Sequence, residues 1–454
     1  MDSLPSSLLY FTSQIANFTR NTIQVNTLNQ TSLASNGVKQ IRVALPVNAV
    51  LNMKSLSMSG KVTTTGVAQA NAGTGVTGDM VAHIPKGGIA ALLDRVSFSA
   101  GGISLDNGPV PYHVIYAVKE NLEKSNAKVM SDDRVLQAST ISPISPTNPQ
   151  SGNHGFTKTL IQNNFLGFTE AHPAYLDMSL LPEVFMTLQC APASVLPVQQ
   201  SNKKLGEAVD SGWSGSGCNY KIEEIKFTVE VCQIGSGMYD ALTQRLLAER
   251  GSIDVPYPQY QVFSETTTAG VSGGVRGSVS CMSLDRIYAV ARNNDNTAAK
   301  KGFQYQQPPI ELSDGIGNAF HQRAIDFSAA DTKDWQFTLN NAPMPMYRAS
   351  TLDAYNFAVS AEDRTYSKDR GSQVHSQEEW FKNKWTATMR LNLDNDPRRL
   401  SGVNLSSINA QIVYSPSTGG TEGANRDDAY QMMLITKQTS ILRIGQSRAC
   451  AVVA

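Results

Sequence analysis

Where hydrophobic residues in this 454-residue chain show a clear period, they mostly recur at every second position. The clearest case is 222–231, IEEIKFTVEV: Ile225, Phe227, Val229 and Val231 fall on one side, Lys226, Thr228 and Glu230 on the other. That is the pattern of a half-buried antiparallel strand. Residues 96–105, VSFSAGGISL, predict two short strands about a turn at Ala100-Gly101-Gly102. Further strands are predicted at 22–28, 39–47, 184–191, 286–292, 335–339, 385–393, 408–415 and 440–445. Many short strands between turn-rich loops predict an all-β sandwich or barrel.

Helices are few. One is predicted over 111–125, with Pro111 tolerated in its first turn. A second is predicted over 350–362, opened by Ser350 and Asp353 in capping-box spacing. A third, 236–251, runs from Ser236 to a stop at Gly251. Pro256 and Pro258 follow it, where a connector would end, so the domain boundary is placed there. Long polar loops are predicted at 63–80, 141–159, 197–217, 266–276 and 415–427, a length that on a compact β scaffold suits contact or recognition.

Two stretches about half a chain apart share a frame: SLDNGPVPY at 104–112 and TLNNAPMPM at 338–346. Each is expected to form a strand, a Pro-x-Pro turn and an amphipathic helix. A repeated local architecture in two β-rich halves points to a duplicated sandwich.

Charged residues make up 17% of the chain, against about 25% in ordinary globular proteins, so much of the surface is neutral. Such a surface suits wide contact with other subunits. Lys plus Arg and Asp plus Glu each total 38, and the balance lacks the basic excess of a dedicated nucleic-acid binder. The five cysteines, Cys190, Cys218, Cys232, Cys281 and Cys450, are odd in number and show no CxxC spacing, which argues against a disulfide framework or a zinc site and for reduced thiols in a cytosol-made protein. The first residues, MDSLPSSLLYFTSQ, lack the basic and apolar regions of a signal peptide, and no run of 18 apolar residues predicts a membrane span. Sequons at Asn17, Asn29 and Asn404 are read as chance.

Candidate chemistry fails on context. GTGVTG at 73–78 spells a dinucleotide fingerprint, but Pro85 interrupts the helix that should follow. GVSGG at 270–274 matches a nucleophile elbow around Ser272, without the strand and helix that strain such a turn. His83, His113, His154, His172, His321 and His375 form neither H-x-H nor H-E-x-x-H, which counts against a two-barrel metal enzyme. Acidic residues such as Asp240, Glu249, Glu362-Asp363 and Glu378-Glu379 read as solvated faces rather than a glycosidase pair. No catalytic, cofactor-binding or metal-binding residue is assigned, and no cofactor is expected. Trp335 and Trp385 lie on strands and predict core positions; Trp213, inside the glycine-rich DSGWSGSG, is read either as packing on its own domain or as an anchor for a ligand or a neighbouring subunit.

The segments 92–122 (LLDRVSFSAGGISLDNGPVPYHVIYAVKENL), 176–197 (LDMSLLPEVFMTLQCAPASVLP), 220–231 (YKIEEIKFTVEV) and 433–454 (MLITKQTSILRIGQSRACAVVA) resemble the double jelly-roll major capsid proteins of icosahedral double-stranded DNA viruses. In size and style the chain looks closest to the polinton-like and virophage-like branch. The resemblance implies an all-β chain of two tandem jelly-roll sandwiches with a few short helices in loops: an arm at 1–20, a first roll at 21–235, a helical connector at 236–256 and a second roll at 257–454. It also implies a homotrimeric, pseudo-hexagonal capsomer in a virion shell, with neighbouring capsomers and minor capsid, cement and penton proteins as partners, no enzymatic activity and no direct sequence-specific nucleic-acid binding. A carbohydrate- or receptor-binding spike or minor capsid protein is the alternative.

Overall fold

The computed structural model describes residues 18–67, 80–106 except 86, 110–123, 155–200 except 164 and 197, 217–234, 237–267, 274–293, 327, 332–361, 384–406 except 395, 397 and 398, 410–418 and 430–453. Strands are numbered along the chain. In the first half, one sheet is ordered β1 (Phe18–Val25), β12 (Asn219–Ile234), β4 (Val50–Thr65), β8 (Thr157–Gln162), with β2 (Leu33–Ala34) added to β12 and β9 (Tyr175–Asp177) to β4. Its companion is β3 (Gln40–Ala44), β10 (Val184–Cys190), β6 (Leu93–Ala100), β7 (Ile103–Ser104). A small ladder joins β5 (Met80–Ala82) to β11 (Val198–Gln200).

In the second half, β13 (Ser252–Thr267), β20 (Tyr430–Gly445), β15 (Leu284–Asn293) and β18 (Ala387–Arg390) form one sheet, and β21 (Cys450–Val453) pairs with β20. The other sheet is β14 (Val275–Val279), β19 (Ala410–Thr418), β16 (Thr332–Leu339), β17 (Ala342–Ser350). With the short additions set aside, the main strands of each half lie first–eighth–third–sixth in one sheet and second–seventh–fourth–fifth in the other. That order is the jelly roll, a sandwich wound from two Greek keys. The chain is therefore a double jelly roll, as the family resemblance implies; alternation and duplication by themselves predict a duplicated sandwich.

Alternation carries the cores. Along β10 Val184, Met186, Leu188 and Cys190 are buried and their neighbours half-buried, and β16 places Trp335, Phe337 and Leu339 inward. β15 instead buries Leu284 through Ala291 without a break, so both its faces are covered.

Among the described residues three α-helices link the strands: α1 (Tyr112–Glu123), α2 (Gly237–Arg250) and α3 (Asp353–Ala361). The capping box at α3 forms as its spacing predicts. The Asp353 carboxylate accepts from the Ser350 amide at 2.9 Å, and the Ser350 hydroxyl accepts from the Asp353 amide at 3.2 Å. α2 ends at Gly251, whose φ of +73° suits a residue without Cβ.

The repeated letters do not repeat the structure. Around the first copy, the β6–β7 turn is Gly101-Gly102, both at positive φ, and α1 begins soon after Pro111. In the second copy the Asn340-Asn341 pair, also at positive φ, is itself the two-residue turn between β16 and β17. Pro343 and Pro345 then lie inside β17 rather than in a turn, which is permitted because β17 is an edge strand bonded only to β16. Hairpin followed by helix is what recurs, in a different register from the letters.

Two strands depart from the sequence reading for identifiable reasons. β4 is long but bulged: Asn52 pairs with Glu230 and Ser57 with Thr228, leaving 53–56 opposite Val229. Ser55 fills the gap, its hydroxyl accepting from the Glu230 amide at 2.9 Å, and the break in period hides the strand. β13 holds Pro256 and Pro258, which the sequence reading places after a connector. The predicted loops also give residues to strands at their ends: 63–65, 80, 157–159, 198–200, 266–267, 275–276 and 415–418.

Candidate functional site

The first roll meets the second along β13, and the seam is built from neutral polar side chains. The Tyr257 hydroxyl donates to the Leu105 carbonyl at 2.9 Å. The Gln259 amide donates to the same carbonyl at 2.5 Å and to the Tyr257 oxygen at 2.8 Å. Its own oxygen accepts from the Gln438 amide at 3.2 Å and the Ser440 hydroxyl at 2.8 Å, both on β20. All four side chains are buried. Gln259 thus uses two donor and two acceptor positions at once, which holds it in one orientation.

β13 is an edge strand, and its prolines suit that place. The Pro256 carbonyl accepts from the His172 amide of the first roll at 2.9 Å, so Pro256 turns toward the open edge. A strand residue points its N and C=O to the same side, so the missing N–H is lost where no strand would use it. Phe168 closes the seam, its ring 5.8 Å from Phe98 of its own roll and 5.5 Å, edge-on, from Tyr257 of the other.

Glu170 adds a charge that both rolls share. It forms an ion pair with Lys119 on α1, and the Tyr260 hydroxyl donates to it at 3.5 Å. Burial alone would raise this carboxyl, but Lys119 from the first roll and Lys437 from the second hold it below the usual glutamate range. Nearby, Asp106 lines a cavity of about 40 Å³ together with Arg95, Tyr112, Gln259 and Tyr260. That space holds two or three waters, at roughly 15 Å³ each, and falls far short of the roughly 300 Å³ at which ligand pockets begin. Burial pushes the Asp106 carboxyl up to about 6, although the Phe98 amide donates to it at 2.6 Å and Arg95 draws it down.

The residues weighed in the sequence do not converge on this seam. His83 is buried and stacks on Phe156 with ring centroids 4.9 Å apart, while buried His113 lies 3.9 Å from Asp94. His172 contributes its backbone to the seam. Trp335 on β16 and Trp385, two residues before β18, are both buried, as predicted, although Trp385 is not itself on a strand. The five cysteines are free thiols, four of them buried and Cys450 partly so. Glu249 pairs with Arg245 at an exposed position. Trp213, Trp380, His154, His321, His375, Ser272, the 73–78 fingerprint and the acidic pairs at 362–363 and 378–379 lie outside the described residues. Among the described residues no group of three or more His, Cys, Asp or Glu could hold a metal ion, and no helix is long and apolar enough to cross a membrane.

Sequence reasoning missed Tyr257, Gln259, Gln438, Ser440 and Glu170. The available signal was TKQTS at 436–440, an uncharged polar run, apart from Lys437, within a strand that is otherwise apolar on both sides. Such a run fits a second buried face.

Two jelly rolls of one topology, locked by a hydrogen-bonded seam, define a double jelly-roll scaffold. The same fold recurs in viral major capsid proteins. The chain is similar to PBCV-1 VP54, whose crystal structure was fitted into a reconstruction of the virophage Sputnik, with a TM-score of 0.61, 14% identity and 98% of each chain covered. It is similar to the Faustovirus major capsid protein at a TM-score of 0.57 and 11% identity, covering 96% of this chain and 92% of that one. For the mavirus major capsid protein the values are 0.51 and 9%, with 99% and 93% covered. No protein-family model matches the chain, and no curated protein matches it in sequence.

Proposed function

We propose that this chain is a structural major capsid protein. Three copies assemble into a pseudo-hexagonal capsomer, and capsomers tile an icosahedral virion shell. The observation that carries the reading is the repetition of one strand order in both halves of a single chain. Two like rolls per chain let a three-fold assembly present six like units to its neighbours, which suits a position with six neighbours. Likeness of fold to the major capsid proteins of Faustovirus and mavirus supports the same role.

The proposed division is an arm at 1–20, rolls at 21–235 and 257–454, and a connector at 236–256. The sheets support two separate rolls, since among the described residues no strand from 18–234 shares a sheet with one from 252–453, although β1 opens at Phe18 and β13 at Ser252, inside the bounds proposed for the arm and the connector. The arm and the outer loops are proposed to reach neighbouring capsomers and the minor capsid, cement and penton proteins. The subunit is proposed to be made in the host cytosol, which agrees with five free thiols, and to have no catalytic role.

Light scattering on the purified chain at moderate salt tests the reading. The expected species has three times the 49.1 kDa chain mass, and electron images of it have a hexagonal outline. A monomer that never associates would overturn it and direct attention to glycan binding.

A further inference from the structure

The cavity beside the seam has the chemistry of an anion site. Its volume is about 40 Å³, and the first turn of α1 lines it through Tyr112 and Ile115, with Val110 just before the helix. A helix N-terminus carries partial positive charge, and no acidic residue in the first turn of α1 neutralises it. That end alone would say little. Two buried donors lining the same space make it a site.

The Tyr112 side chain is 5% exposed, and its hydroxyl lies beside the Leu166 backbone without closing a hydrogen bond. Arg95 on β6 brings its Nε–H to the same space, buried and likewise without a partner among the described residues. Both groups need an acceptor. Gln259 also lines the space but cannot serve, because its oxygen already accepts from Gln438 and Ser440.

Asp106 is the one carboxyl among the lining residues. Arg95 from β6, Tyr112 from α1 and Tyr257 and Tyr260 from β13 face it. Glu170, which Tyr260 reaches, is held by Lys119 and Lys437, and His113 of the same α1 turn lies near Asp94 instead. With burial raising Asp106 to about 6, its charge offsets Arg95 only above that pH. In milder acid the wall holds an unopposed guanidinium and two hydroxyl donors, those of Tyr112 and the protonated Asp106.

We propose that this cavity binds a single chloride ion between Arg95, Tyr112 and Asp106, together with one proton. The space that two or three waters fill admits one such ion. Val110, Ile115 and Leu166 leave the rest of the wall apolar, which suits a large, weakly hydrated halide. Because Gln259 and Tyr260 of the second roll complete the lining, the ion ties the rolls together. Uptake of anion and proton is reciprocal, so each strengthens the other.

Thermal midpoints of the purified chain in sodium chloride test the site, with sodium gluconate at equal ionic strength as the reference. Chloride is expected to raise the midpoint at pH 5, and its affinity to fall about tenfold per pH unit above pH 6. Tyr112→Phe, which deletes one hydroxyl, should weaken chloride about tenfold at pH 5. Asp106→Asn offers an uncharged donor and should bind chloride equally from pH 5 to pH 8. Crystals soaked in sodium bromide at pH 5 should show an anomalous peak between Arg95 and Tyr112. Equal midpoints in chloride and gluconate would overturn the site, and a bromide peak without a midpoint shift would mean binding at crystal concentration only, which overturns it as well. A chloride effect unchanged in both variants would arise elsewhere on the chain and would also refute the assignment.

Discussion

The Tyr257 hydroxyl reaches the carbonyl of Leu105 at 2.9 Å, joining residues 152 positions apart and linking the two jelly rolls. Gln259 shares that carbonyl and binds two further partners, so the seam depends more on the amide than on the phenol.

A ranking of substitutions follows. Tyr257→Phe removes one donor to Leu105 and the acceptor of one Gln259 N–H, while the other Gln259 N–H still serves Leu105, and about 1–2 kcal/mol of stability is lost. Gln259→Leu leaves the Gln438 amide and the Ser440 hydroxyl without their buried acceptor, and the loss rises to about 2–4 kcal/mol. Urea midpoints of the two variants measure the order. Equal midpoints, or a larger loss for Tyr257→Phe, would refute a network centred on Gln259.

Glu170 predicts a pH-dependent contribution. Lys119 and Lys437 hold its carboxyl below the ordinary value of 4.5, so its stabilisation is present above that value and is lost as pH falls through the lower folded-state one. Glu170→Gln leaves two cations facing a neutral amide and costs about 1–3 kcal/mol at pH 7. The gap between variant and wild type should narrow steadily below pH 4.5, as the wild-type carboxyl also becomes neutral. A gap of constant size down to pH 3 would mean the charge plays no part.

How far the fold could be read from the chain depended on whether the signal was local. The Gly101-Gly102 hairpin, the Ser350–Asp353 capping box and the alternation of β10 each involve residues a few positions apart, and each was legible. β4 was hidden because its bulge at Ser55 interrupts the period, and β13 because Pro256 and Pro258 read as breakers unless the strand is known to be an edge. The seam could not be read at all. Leu105 and Gln259 are 154 positions apart, and nothing near either residue shows that a carbonyl and an amide will meet. The shared letters at 104–112 and 338–346 pointed to a true duplication through a false register.

The thiols predict a count. Burial pushes Cys218 and Cys281 up to about 11 and raises the other three as well, so at pH 8 all five are mostly protonated. Only Cys450 has appreciable exposure. An aromatic disulfide reagent should therefore titrate at most one thiol per native chain within minutes, and five after unfolding in guanidinium. Rapid reaction of two or more native thiols would contradict the packing around Cys190, Cys218, Cys232 and Cys281.

Asp106 should act in the opposite sense to Glu170. Burial raises its carboxyl from the ordinary 3.8 to about 6, so the folded state binds this proton more tightly than the unfolded state does. Its contribution is most favourable below about 3.8 and is lost as pH rises through about 6. Asn at this position keeps an oxygen to accept from the Phe98 amide but carries no charge to bury. Asp106→Asn is therefore expected to match the wild type near pH 4 and to exceed it by about 1–2 kcal/mol at pH 8, an amount discounted for the partial exposure of the side chain. Thermal midpoints across pH 4–8 decide it. If the variant is instead less stable at pH 8, the Arg95 contact outweighs burial and the carboxylate belongs to the seam as an anion.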